Sequence, residues 1–536
     1  MTRPDMLSRL HSHRAEWDII IVGGGATGVG VAMDAASRGY DTLLLERSDF
    51  GKGTSSRSTK LVHGGVRYLE QGNVTLVMEA LKERGILREN APHLVTDLEF
   101  IVPSYDWWQA PFYGLGLKIY NILSGKYGFG PSKILSREET LQRLPTLNQE
   151  GLRGGVVYYD GQFDDARLLI NMVATAAEQG ATLINYCRVT GLTKDRDGFI
   201  NGVVARDEEN GEEFEATAKV VINASGPFAD SIRRLADPAL EPMISPSQGI
   251  HLVFDRSFLP ADSAIMVPRT SDGRVMFAIP WHGYTLVGTT DTPIPEPTLD
   301  PSPKEEEIEF ILKTAGQFLH KSPTRSDVLS VFTGIRPLVK AGNSNNTAAL
   351  SRDHNIVIDE SGLLNIAGGK WTTYRNMAED CVDHAAMLGK LPDRECVTKQ
   401  LHIHGFHPRA EQFGDLSFYG SDAPAIQELM SKEPELRQPL TGDLPYVGAE
   451  VIWAVRYEMA RTVEDVLCRR TRALFLNAKA ALKAAPKVAS LMARELEYDS
   501  NWESEQLLDF QQIARHFTLD KAPIENSGHV APRSAL

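Results

Sequence analysis

Trp17 to Gly28 reads WDIIIVGGGATG, and this stretch decides the fold. Trp17 to Val22 is an apolar run of strand length. Gly23, Gly24, Gly25, Ala26, Thr27 and Gly28 follow, and Val29 to Arg38 (VGVAMDAASR) reads as a helix of small residues closed by Gly39. Asp41 to Glu46 (DTLLLE) is a second buried strand, so the segment is β-α-β, the unit of a parallel sheet. Gly23, Gly25 and Gly28 form G-x-G-x-x-G at the strand-to-helix turn. The first glycine permits the tight turn, the second lets a pyrophosphate approach the backbone, and the third lets helix pack on strand. The helix N-terminus offers free N–H groups and a positive dipole end. Glu46 stands eighteen residues after Gly28, where a carboxylate can bind ribose hydroxyls and disfavours a 2′-phosphate. FAD and NAD both fit this fingerprint.

Working outward, Leu168 to Glu178 reads as a helix and Ala181 to Tyr186 (ATLINY) as a strand. Residues 187–219 read as antiparallel strands with turns at Asp197-Gly198 and Asn210-Gly211. Lys219 to Ala224 (KVVINA) is another buried strand, ending at Ser225-Gly226-Pro227. Residues 246–292 alternate apolar and polar, which predicts a separate antiparallel sheet. Leu363 to Ala367 runs into Gly368-Gly369, and Trp371 to Leu388 reads as a helix. From about residue 420 the pattern is nearly all helical.

The predicted fold class is α/β plus α+β: a nucleotide-binding Rossmann-like domain, an interleaved antiparallel cap layer and a C-terminal helical domain. Residues 17–75, 160–240 and 345–388 make the discontinuous nucleotide-binding domain, and 76–159 with 241–344 the cap. Residues 389–520 are the helical domain, and 1–16 and 521–536 are read as flexible tails.

Composition narrows the function. The chain has 536 residues, 42% hydrophobic and 24% charged, ordinary for a folded protein. Its net charge of −14 argues against a nucleic-acid partner and makes any membrane contact local and partly apolar. An anionic ligand must then sit in a basic spot within an acidic field. The four cysteines form no C-x-x-C pair, so neither a disulfide framework nor a cysteine zinc site is expected, and a reducing compartment fits. No metal site is predicted, and His402 and His404 are read as solvated. The first sixteen residues lack the apolar core of a signal peptide, and no uncharged apolar run reaches the length of a membrane span. The acidic run Glu305 to Glu309 reads as a solvated helix start, and Arg469, Arg470 and Arg472 as a solvated helix face. Trp107 to Gly130 is rich in aromatics and carries Lys118 and Lys126. It suits a membrane interface, or a cap helix with its aromatic side turned inward.

After Glu46 come Thr54, Ser55, Ser56, Ser58, Thr59 and Lys60, then Leu61, Val62 and His63-Gly64-Gly65-Val66-Arg67-Tyr68-Leu69. Hydroxyls and N–H groups in such a loop can satisfy a flavin pyrophosphate and ring edge. These segments, with Ile279-Pro280-Trp281, Val287 to Asp291, Gly334 to Leu338, Ser351 to His354 and Gly368 to Arg375, resemble the FAD-dependent, quinone-linked glycerol-3-phosphate dehydrogenase family. The resemblance implies oxidation of sn-glycerol 3-phosphate to dihydroxyacetone phosphate, with hydride passing from C2 to flavin N5 and electrons to a membrane quinone. It implies a p-hydroxybenzoate-hydroxylase-like arrangement of an FAD-binding domain, a substrate-binding cap and a C-terminal helical domain, and peripheral association of a cytoplasmic enzyme with the inner face of the cell membrane. A homodimer is one assembly it admits. An oxidase using dioxygen and a non-catalytic flavin sensor are the alternatives.

The family's substrate site maps onto Arg67, Tyr68, Arg336, Arg352, Lys370 and Thr372, and His251 on a cap strand joins them as a candidate. A phosphomonoester suits guanidinium forks, and unpaired cations in apolar settings would be relieved by a bound anion. Arg336 and Lys370 are assigned to stabilising the alkoxide; His63, His251 and Lys370 are candidates for the base. Predicted FAD contacts are Gly23, Gly24, Gly25, Ala26, Thr27, Gly28, Glu46, Thr54, Ser55, Ser56, Lys60, Leu61, His63 and Gly65. Arg188, Val189, Ala224, Gly226, Gly368, Gly369, Lys370 and Thr372 complete the set. No motif for covalent flavin attachment stands out, so FAD is expected to be held non-covalently.

Overall fold

A computed structural model of the chain describes residues 1–65, 73–271, 273–340 and 354–519. Trp17–Val22 is the centre of the first sheet. It pairs in parallel with Thr42–Leu45 on one side and Glu213–Asn223 on the other. Thr182–Ile184 and Leu364–Gly368 extend the parallel set, and His354–Ile358 closes one edge antiparallel. These strands read as unbroken apolar runs because they are buried in one core, shared with the side-by-side helices Ala26–Ser37, Asp165–Glu178 and Tyr374–Leu388 and with apolar residues of the antiparallel ribbon. Cys187–Lys194 and Ile200–Asp207 form the expected antiparallel ribbon with the start of Glu213–Asn223.

A second sheet of ten strands is almost wholly antiparallel. Its longest pairing joins Ile244–Asp255 to Val328–Val339, and Val95–Ser104 with Gly154–Phe163 forms the other half. Leu61–Val62 also belongs here, paired with Gly161 and Gln162, so the flavin loop leaves the first domain as a strand of the cap. The C-terminal part packs Gly448–Tyr457, Ala478–Leu496 and Ser500–Ala514 around an alanine-rich core.

Several expectations need correction. The first helix begins at Ala26, not Val29, because Gly25 is its N-cap and the fingerprint lies within its opening turn. Residues 1–16 are no loose tail: Arg3–Ser12 is a helix with Met6 and Leu10 buried, and the Arg3 guanidinium reaches Asp207 at 2.9 Å. The stretch 521–536 lies outside the described residues. A hairpin, Pro439–Thr441 with Leu444–Val447, interrupts the helical end. Glu307, inside the acidic run, is buried and accepts hydrogen bonds from Gln248, Thr290 and Thr292. His404 is held between Glu178 at 2.6 Å and Asp422 at 2.8 Å. Most unlike the sequence reading, Arg469, Arg470 and Arg472 are all buried, each against a carboxylate.

Candidate active site

The parallel strands end at a cavity of about 390 Å³, with Val22, Leu45, Ala224 and Gly368 at its floor. Ligands of doubly wound sheets bind at this carboxyl edge. Gly23 has φ +114°, and a Cβ there would lie 2.7 Å from the Ala224 carbonyl oxygen. At Gly28 a Cβ would come within 1.9 Å of the Gly23 carbonyl oxygen, so only glycine lets the helix sit this close to the turn. The Ala26 N–H donates to Ser55 Oγ at 2.8 Å, which docks the Ser/Thr loop onto the helix N-terminus. Glu46 is fixed by two backbone donors, Gly24 N–H at 2.6 Å and Ser48 N–H at 2.8 Å. Burial raises its carboxyl pKa, against those two N–H groups. Arg47 lies over the Phe228 ring at 4.2 Å beside it.

The opposite wall is Gly368, Gly369, Lys370 and Trp371. Gly368 and Gly369 both have positive φ, +78° and +72°. The Trp371 indole N–H donates to the Ser55 carbonyl at 2.8 Å, and the His63 N–H donates to Thr372 Oγ1 at 3.2 Å. Thr54 Oγ1 donates to the Ile335 carbonyl at 2.6 Å, which seats the loop against the cap.

That cap face carries the candidate substrate residues. Ser247, Gly249 and His251 pair with Arg336, Gly334 and Phe332, so these six side-chain positions share one face. The missing Cβ of Gly249 makes room for Arg336; a Cβ would lie 2.5 Å from its Nη2. Arg336 donates to the Thr290 carbonyl at 2.8 Å and pairs with Asp291 at 3.2 Å. It therefore has a protein carboxylate as partner, and the argument that only a bound anion would relieve its charge does not hold. His251 stacks on Phe332 at 4.9 Å, with Nε2 2.9 Å from Thr59 Oγ1. Its Nδ1 is buried without a hydrogen-bond partner among the described residues. Burial, then the Lys60 and Arg336 charges, push its pKa well below the ordinary imidazole value, so the ring is neutral.

Of the expected cofactor contacts, Gly23, Gly25, Ala26, Thr27, Glu46, Thr54 and Ser55 line the cavity, as do Arg188, Val189, Ala224, Gly226, Gly368, Gly369 and Lys370. Gly24, Gly28, Ser56, Leu61, His63, Gly65 and Thr372 are not among its lining residues. Lys60 is a correction. Its ammonium turns away into the core, 2.8 Å from both oxygens of Asp165 and 2.7 Å from the Ser56 carbonyl. Arg67, Tyr68 and Arg352 lie outside the described residues. Sequence reasoning assigned no site role to Asp291, Arg47 or Lys52. The polar Gly51-Lys52-Gly53 turn was the available signal for the last.

The cradle fits a dinucleotide: a glycine turn no Cβ can enter, a helix N-terminus facing the cavity and a carboxylate at its ribose end. The family model "FAD dependent oxidoreductase" matches residues 18–375, and "C-terminal domain of alpha-glycerophosphate oxidase" matches residues 364–503. A probable mitochondrial glycerol-3-phosphate dehydrogenase of Caenorhabditis elegans is 43% identical over 94% of this chain and 74% of its own. The chain belongs to the FAD-dependent glycerol-3-phosphate dehydrogenase family. The human mitochondrial glycerol-3-phosphate dehydrogenase is 41% identical over 94% of this chain and 73% of its own. The crystal structure of glycerol-3-phosphate dehydrogenase from Bacillus halodurans, complexed with FAD, superposes with a TM-score of 0.79. It is 30% identical and covers 97% of this chain and 99% of its own. L-α-glycerophosphate oxidase of Mycoplasma pneumoniae, at 18% identity and a TM-score of 0.56, shares the fold. As a member of this family, the chain is an FAD-dependent oxidoreductase with a FAD domain, a cap and a C-terminal helical domain.

Proposed function

We propose that this chain oxidises sn-glycerol 3-phosphate to dihydroxyacetone phosphate and passes the electrons to a membrane quinone. The observation that carries the reading is the docking of the cradle's Ser/Thr loop, through Thr54 on Ile335 and Thr59 on His251, onto a cap face that bears this neutral buried histidine beside an arginine. FAD, when bound, supplies the acceptor for the C2 hydrogen, taken as a hydride at N5. Gly23, Gly25 and Ala26 would hold its pyrophosphate, Glu46 its ribose, and Gly368 to Lys370 its ring end.

The substrate phosphate carries about −1.5 to −2 charges at neutral pH. Arg336 and Lys370 bind and orient it, joined by Arg67, Tyr68, Arg352 and Thr372 through the family resemblance. Arg336 exchanges part of its contact with Asp291 for the incoming anion, which keeps the site from storing an unpaired charge. An alcohol gives up its C2 hydrogen only as its O–H proton leaves, so a base must stand at the hydroxyl. His251 is taken as that base because its ring is neutral and its Nδ1 has no hydrogen-bond partner among the described residues; since burial also weakens it as a base, the alkoxide charge has to be carried by the cations beside it. Lys370 and Arg336 stabilise the developing alkoxide by charge.

The quinone reading draws on the Gln109–Ser124 helix. Trp107 and Ile122 are each 78% exposed, with Phe112, Leu115 and Ile119 also outward and Lys118 among them. Such a surface suits peripheral docking on the inner leaflet. No described helix is long and apolar enough to cross a membrane.

The test is anaerobic reduction of the yellow protein by glycerol 3-phosphate and by glycerol, followed by reoxidation with a quinone or with dioxygen. Bleaching by the phosphate ester alone and fast reoxidation by quinone are expected. Rapid peroxide formation without quinone would make it an oxidase, and absence of bleaching a flavin sensor.

A further inference from the structure

The densest group of buried charges lies outside the cavity, behind the loop from Asp49 to Ser56, where the C-terminal domain meets the FAD domain. A turn of π-helix, Asp465–Arg470, carries two of the arginines. Arg470 donates to both oxygens of Asp49, at 2.6 and 2.9 Å. Arg469 donates to the same carboxylate, and also to Glu464 at 2.9 Å and Asp465 at 2.7 Å. Glu464 in turn accepts the Lys52 ammonium at 2.9 Å, and Lys52 lies 3.5 Å from Asp300. Burial alone would raise the carboxyls of Asp49 and Glu464. The Arg470 and Arg469 guanidiniums for Asp49, and Lys52 with Arg469 for Glu464, hold both well below the usual range.

Burying this many charges gains little net stability over apolar packing of the same volume. What the network fixes is a position. Gly51, Lys52, Gly53, Thr54 and Ser55, which follow Asp49, all line the FAD cavity. The Gly51 N–H donates to the Gly24 carbonyl at 3.1 Å, and Ser56 Oγ donates to the Gly51 carbonyl at 2.7 Å. The loop is thus clasped between the glycine fingerprint in front and the C-terminal charges behind.

We propose that Arg469, Arg470 and Glu464 of the C-terminal domain are positioning residues for FAD. By gripping Asp49 and Lys52 they hold the loop that closes the cavity over the cofactor. The inference rests on FAD binding and is independent of the substrate and the electron acceptor.

The experiment follows FAD release from the holoenzyme by the rise in flavin fluorescence after dilution. The variants are Glu464→Gln, Lys52→Met, and Lys52→Arg, which keeps the charge that meets Glu464 and Asp300. Glu464→Gln leaves the cavity lining untouched, so its effect must pass through Lys52 or Arg469. Arg470→Met is included as the severest change and read only if it folds. Val488→Ala, at a buried apolar position of the C-terminal core, serves as the control for lost stability. Glu464→Gln and Lys52→Met are expected to speed release about ten-fold each, which corresponds to a tenfold change in affinity at constant uptake. Each should exceed Val488→Ala at matched urea midpoint, and Lys52→Arg should release FAD at close to the parent's rate. Release within about two-fold of the parent in both Glu464→Gln and Lys52→Met would overturn the proposal. So would equal acceleration by Val488→Ala at the same urea midpoint.

Discussion

The Trp371 indole N–H donates to the Ser55 carbonyl at 2.8 Å, across 316 residues of chain. Ser55 is also the residue whose hydroxyl accepts the Ala26 N–H. One serine thus joins the glycine fingerprint to the Gly-Gly wall on the far side of the cavity.

Trp371→Phe keeps an aromatic ring but removes the donor. A hydrogen bond of this kind contributes about 0.5–1.5 kcal/mol, so FAD release should rise by about two- to ten-fold. Dialysis of the holoenzyme and the ratio of flavin to protein absorbance measure it; unchanged occupancy and release rate would refute the role.

The glycines differ sharply in what they tolerate. Gly28→Ala puts a Cβ 1.9 Å from the Gly23 carbonyl oxygen and should give a colourless, destabilised protein. Gly116→Ala, within the Gln109–Ser124 helix and outside the cavity lining, meets nothing within 4 Å, so it should bind FAD normally. Visible absorbance of the two purified variants separates them, and a yellow Gly28→Ala protein would contradict the close approach.

His404 gives stability a pH dependence of definite sign. Burial alone would lower its pKa, but Asp422 and Glu178 carry it up from 6.5 to about 10. A raised folded-state pKa stabilises in full below the unfolded value and is lost as pH climbs through the folded one. The gap in urea midpoint between the parent and His404→Gln should therefore be widest below about 6.5 and shrink toward 10. A gap that grows with pH would show that the ring is neutral in the folded protein.

Membrane docking is testable on the exposed helix. Trp107→Asp with Ile122→Asp replaces two outward apolar side chains, each worth about 1.5–3 kcal/mol when fully buried in an apolar phase. Sedimentation with phospholipid vesicles should fall by at least about ten-fold. Flavin reduction by glycerol 3-phosphate in solution should not change. Equal sedimentation of both proteins would place the lipid contact elsewhere.

The β-α-β core was legible because its signals are local: apolar runs, glycine spacing and a carboxylate at a fixed distance. The helix at Arg3–Ser12 was not, since only Met6 and Leu10 mark its buried side and its anchor is Arg3 on Asp207. Ion pairing defeated the remaining readings for one reason. Lys60 finds Asp165 after 105 residues, and Arg469 finds Asp49 after 420. A basic run looks the same in sequence whether it faces water or a buried carboxylate. Arg336 lies on the Val328–Val339 strand, and its partner Asp291, 45 residues earlier, has no local signal in the sequence.

The distance between Asp49 and its arginines has a temporal side. A ribosome finishes the dinucleotide fingerprint early, but Asp49 stays unmatched until Arg469 and Arg470 have been made, some 420 residues later. If the clasp proposed above is needed to hold FAD, nascent chains stalled before Arg469 should emerge without colour.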